Sequence, residues 1–122
     1  MRRLTSVIIF TVATTFSSLC FGNTLNSMHK DQVLLKHFKK LMALTLEKEK
    51  GCLRAHATRQ IAHPGSPGKS KYTIVLLQEY INMQAFDLHC AADYVINGFK
   101  KYIENEETAI VEDWRCRLFS EE

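Results

Sequence analysis

The side chains able to move a proton or hold a metal are few in this 122-residue chain: five histidines, four cysteines and 13 acidic residues. The cysteines stand at positions 20, 52, 90 and 116 with no C-x-x-C pair, which excludes a zinc knuckle and a thioredoxin-type redox motif. No glycine-rich phosphate loop and no carboxylate and histidine metal set is present either. Proton transfer by imidazole is the chemistry left open, since histidine changes charge near neutral pH. His29, His56 and His63 have no supporting context, and His37 lies beside an apolar stripe where a satisfied boundary histidine is expected. His89 stands in a helical stretch, AFDLHCAADY, where it either fills a junction between helix and sheet or faces a ligand.

A chain of this length forms one domain with one core. The formal charge is +3, and without Arg2 and Arg3 the 16 basic residues become 14 against 13 acidic ones. That balance is no nucleic-acid footprint, and Lys39-Lys40 and Lys69-Ser70-Lys71 read as solvated surface.

The elements that must position these groups follow from periodicity. Over residues 27–50, Leu34, Phe38, Leu41 and Thr45, flanked by Leu35, Met42 and Leu46, keep helical spacing, with lysines and Glu47 opposite. Gly51 follows, where a left-handed helix cap is expected. Residues 52–61 read as a strand, AHPGSPGKSK as a loop and YTIVLLQEYI as a second strand. Residues 82–107 read as helix with a break near Ala92-Asp93, where Asp93 can cap a new helix carrying Tyr94, Ile96, Phe99, Tyr102 and Ile103 toward the core. TAIVEDWRCRLF reads as a last strand. With one more strand at the start, the order is the β-α-β-β-α-β plan of a ferredoxin-like α+β fold. Both faces of the last two strands carry large apolar groups, Ile74, Leu76 and Tyr80 against Val75 and Leu77, and Val111 against Ile110, Trp114 and Leu118. The second face is therefore expected to meet another sheet, most simply that of an identical subunit.

Three short motifs in this order resemble the antibiotic biosynthesis monooxygenase (ABM) family of dimeric α+β barrels. They are EKGC (residues 49–52) at the end of the long helix, QEY (residues 78–80) closing a strand, and AFDLHCAADY (residues 85–94) on the next helix. The resemblance covers residues 28–119, with Tyr80 where the family often has tryptophan. It implies a homodimer with a pocket between sheet and helices, and oxidation of a quinol or other small phenol by molecular oxygen without metal, flavin or other cofactor. His89 is then the catalytic candidate, accepting the substrate hydroxyl proton or holding its oxygen. Tyr72, Tyr80, Trp114, Phe99 and His37 are the candidate substrate-binding residues. A heme-degrading branch of the family has its axial histidine where this chain has Phe99, which cannot ligate iron. A non-catalytic binding or envelope interaction module, and an isomerase keeping a histidine like His89, are the alternatives.

The opening residues 1–22, MRRLTSVIIFTVATTFSSLCFG, carry a basic start, an uncharged apolar run and small residues flanking Phe21. This is a Sec-type signal pattern, predicting cleavage before Asn23 and a periplasmic or secreted domain over residues 23–122 with no stable membrane span. The competing expectation is a cytoplasmic protein that keeps SVIIFTVAT, β-branched and continuously apolar, as an internal first strand.

Overall fold

The computed structural model describes residues 3–12, 23–68, 70–105 and 109–121, with side chains from residue 30 onward in the first helix. Its elements are β1 (Leu4–Val12), α1 (Asn23–Lys48), β2 (Cys52–Arg59), β3 (Ile74–Tyr80), α2 (Met83–Ala91), α3 (Asp93–Ile103) and β4 (Val111–Ser120). The four strands form one antiparallel sheet in the order β2-β3-β1-β4. This is the ferredoxin-like α+β plan, with the interrupted second helix that Ala92 signals in the sequence.

The opening apolar run is an inner strand. β1 pairs with β3 from Leu4↔Tyr80 to Phe10↔Ile74 and with β4 from Leu4↔Ser120 to Val12↔Val111. Its burial alternates: Leu4, Ser6, Ile8, Phe10 and Val12 are buried on the helix side, while Thr5, Val7, Ile9 and Thr11 lie half-buried on the other. Phe10 stacks on Phe38 of α1 at 4.8 Å between ring centroids. Leu34, Phe38, Leu41 and Met42 complete that layer, each contributing about 1.5–3 kcal/mol by leaving water.

Two local expectations are corrected. Gly51 is not left-handed, since Gly68 alone among the described glycines has positive φ. Gly51 is small for a different reason: a Cβ there would lie 2.5 Å from the Cβ of Ala85, so glycine lets the start of β2 pass close to α2. Asp93 is the first residue of α3 rather than its cap; Ala92 occupies the cap position with extended backbone and no side-chain bond. The carboxylate still favours the positive end of the helix.

Candidate functional site

Between the inner face of the sheet and the α2–α3 pair lies a cavity of about 320 Å³. Ile8, Trp114 and Cys116 rise from β1 and β4, Gln78 from β3, and Phe86, His89 and Cys90 descend from α2. Val95, Ile96, Phe99 and Ile103 of α3 close the apolar wall, and Lys100 and Glu104 stand one turn apart beside them. The walls are aromatic and aliphatic with few polar groups, the usual make-up of a small-molecule site.

His89 lies in the last turn of α2 and is 2% exposed. Asn82 opens this helix by accepting a 2.9 Å bond from the Ala85 amide, and the Ala92 amide closes it on the His89 carbonyl. Those two caps fix where the imidazole enters the cavity. Its Nδ1 lies 2.7 Å from Glu49 Oε2, just beyond the end of α1, and the Tyr94 hydroxyl donates to the same oxygen. Tyr94 also sits 3.4 Å from Thr45 Oγ1, whose own hydroxyl donates to the Leu41 carbonyl at 2.9 Å. Glu49 itself is held by its amide bond to Thr45 and by the Cys52 amide on its carbonyl.

A carboxylate on Nδ1 sets the ring's orientation and tautomer, placing the Nδ1 proton toward Glu49 and leaving Nε2 as the ring's remaining basic nitrogen. The same carboxylate would stabilise an imidazolium formed when Nε2 takes a proton. The Tyr94 phenol is pushed up to about 12, chiefly by burial and then by its bond to Glu49, so it donates and keeps its proton. Burial and Glu49 likewise raise the Cys52 thiol to about 11, leaving it a packed, protonated group rather than a nucleophile. Cys90 on the cavity wall is also raised, first by burial and then by Cys116.

Of the residues singled out in the sequence, His89, Phe99 and Trp114 meet around this cavity. Tyr80 does not line it: fully buried, it packs behind the site with its ring 5.4 Å from both His89 and Phe86. Tyr72 lies on the opposite side of the sheet, its hydroxyl donating to Asp113 at 3.3 Å. His37 sits between α1 and α3, where its ring nitrogen Nε2 meets the Gly98 carbonyl at 2.7 Å and its ring stands edge-on to Tyr102. Burial lowers its pKa, outweighing the bond to Gly98. Gln78 and Tyr94 were not singled out as site residues. For Gln78 the signal exists: Ile74, Leu76, Gln78 and Tyr80 occupy one face of β3, and a lone amide in that buried row is anomalous.

No family model matches the chain, and no curated protein matches its sequence. Solved structures match its fold. A dimeric protein of unknown function with a ferredoxin-like fold from Bacteroides fragilis is 13% identical, with a TM-score of 0.67 over 96% of this chain and 94% of that one. SnoaB, a cofactor-independent oxygenase from Streptomyces nogalater, is 14% identical, with a TM-score of 0.60 over 96% and 90% of the two chains. A DABB family protein with a ferredoxin-like fold from Mesorhizobium loti is 16% identical, with a TM-score of 0.57 over 98% and 96%.

The likeness establishes the fold. At such identities residue roles do not transfer, and the chemistry must be argued from the cavity itself. Among the described residues no His, Cys, Asp or Glu cluster is able to hold a metal ion, and no helix is long and apolar enough to cross a membrane.

Proposed function

We propose that the protein is an ABM-type, cofactor-independent monooxygenase acting on a quinol or other small phenol. The observation that carries this reading is the bond between half-buried Glu49 and buried His89, whose ring lines an aromatic cavity. In this scheme His89 Nε2 removes a hydroxyl proton, and Glu49 stabilises the resulting imidazolium. The phenolate, electron-rich and shielded from water, then supplies electrons to molecular oxygen directly. For a hydroquinone the stoichiometry balances as quinol plus oxygen giving hydroxyquinone plus water. One oxygen atom forms a bond to ring carbon, the other leaves as water, and the substrate supplies all four electrons. The fold shared with a cofactor-independent oxygenase supports the reading.

A reduced naphthoquinone incubated with the protein in an oxygen electrode tests it. Uptake well above the buffer rate, saturating with substrate, is expected; uptake at the buffer rate refutes the scheme and leaves a small-molecule-binding module as the better reading.

The working form is a homodimer in this proposal. Val7, Ile9, Val75 and Leu77 run across the outer face of the sheet in one register, with Leu77 40% exposed and Phe119 57% exposed beside them. A second sheet would cover this stripe. The dimeric state of the Bacteroides fragilis neighbour supports it. In this proposal the protein also keeps its opening strand. Removing β1 would strip pairing partners from both β3 and β4 and take Phe10 from the core. Intact mass of protein from its native host tests this: a mass retaining residues 4–12 is expected, whereas a chain beginning at Asn23 would establish export.

A further inference from the structure

Three buried polar side-chain atoms have no hydrogen-bond partner among the described residues: Thr11 Oγ1, the Tyr80 hydroxyl and Gln78 Oε1. Of these residues, only Gln78 lines the cavity. It is 1% exposed, and its Nε2 donates to the thioether sulfur of Met42 at 3.2 Å. A thioether has no proton to give, so the amide must turn its nitrogen toward Met42, which leaves its oxygen without a donor. A buried amide oxygen left unpaired is unfavourable, since it has given up its bonds to water without a replacement. The cross-strand neighbour does not relieve it. Ser6, directly opposite on β1, has its Oγ 3.8 Å from Cys116 Sγ, a long contact in which either group can be the donor.

Resting on the monooxygenase reading, we infer that Gln78 is the second polar anchor of the cavity, its Oε1 accepting a hydrogen bond from a substrate hydroxyl that His89 does not deprotonate. The substrate class is thereby narrowed to flat aromatics with two hydroxyls. One meets the base on α2, and the other meets an acceptor on β3. Gln78 is a specificity-determining residue: it contributes an acceptor and no proton transfer. A substrate whose second oxygen is methylated leaves that acceptor unpaired and binds less well, as sites built around a substrate hydroxyl do with analogues lacking it. The aromatic wall of Phe86, Phe99 and Trp114 fits such a ring, and a volume of about 320 Å³ admits one of modest size.

Anaerobic calorimetric titration tests the inference without turnover. Naphthalene-1,4-diol and its monomethyl ether, 4-methoxy-1-naphthol, are each titrated into wild type, Gln78→Leu and Gln78→Met. Wild type is expected to prefer the diol about tenfold, the value of one ordinary hydrogen bond. Both variants, which remove the unpaired oxygen at similar volume, are expected to fold and to bind the two ligands within about twofold of each other. An unchanged tenfold preference in a folded variant, no preference in wild type, or no binding of either ligand to wild type would overturn it. The two readings fail separately. A Gln78-dependent preference without oxygen uptake sinks the monooxygenase and keeps the anchor; oxygen uptake with a preference indifferent to Gln78 does the reverse.

Discussion

Two histidines are tucked against the helices of this sheet, and they differ in what holds them. His89 is bonded through Nδ1 to a carboxylate, Glu49, and lines an aromatic cavity. His37 is bonded through Nε2 to a backbone carbonyl and enclosed by Phe38 and Tyr102. A carboxylate partner brings a full negative charge to a proton newly gained by the ring, whereas the Gly98 carbonyl brings only a dipole, which burial outweighs at His37. The same side chain is therefore set up for proton transfer in one place and for packing in the other. Burial alone does not mark a catalytic histidine; the partner and the open wall do.

The largest expected effect separates the two most sharply. Replacing His89 by alanine should lower the rate of quinol oxidation by about 10²–10⁴, the usual contribution of a general base. His37→Leu should leave the rate per folded molecule within about twofold, measured in the same assay. An equal loss in both variants would erase the distinction. Next in size is Glu49→Gln, which keeps shape and removes charge. Losing a charge-assisted bond of about 1.5–3 kcal/mol should cost roughly 10-fold to 100-fold in turnover. The loss should fall on kcat rather than KM, because Glu49 acts on the imidazolium formed during the reaction.

His37 should instead register in stability. His37→Leu removes the side-chain bond to the Gly98 carbonyl, which lies inside α3, and should lower unfolding free energy by about 0.5–1.5 kcal/mol in urea titrations. The smallest effect is its pH dependence. The pKa of His37 is lowered in the fold from 6.5, so below 6.5 the unfolded chain binds a proton that the folded chain still refuses. Stability is thus full above 6.5 and falls as pH drops from there toward the lowered folded value. The His37→Leu protein should lack that component, as paired melting curves above and below this pH would reveal.

How much of this was legible in the sequence depends on whether the cause was local. The helical stripe through Leu34, Phe38 and Leu41 and the break at Ala92 are local patterns, and the structure keeps both. The opening segment is ambiguous for a physical reason. A signal sequence and an inner strand both require an uncharged apolar run, and only pairing with β3 and β4 displays the strand. Gly51 was legible as a necessary glycine, but its reason is a contact with Ala85, 34 positions away, rather than a helix cap. The Glu49–His89 bond joins residues 40 apart, which no spacing rule predicts. Tyr72 and Tyr80 show the converse limit. Both are strand-region aromatics, yet Tyr80, at the end of β3, packs behind His89, and Tyr72, two residues before β3 begins, reaches Asp113 on β4.

Oxygen-isotope labelling tests the central claim most directly. Wild type and His89→Ala are given a reduced naphthoquinone under ¹⁸O₂, and the product is weighed by mass spectrometry. Wild type is predicted to form a hydroxynaphthoquinone carrying one labelled oxygen atom, with His89→Ala forming it no faster than buffer. A product without label, or equal labelled product from both proteins, would contradict a monooxygenase working through the Glu49–His89 pair.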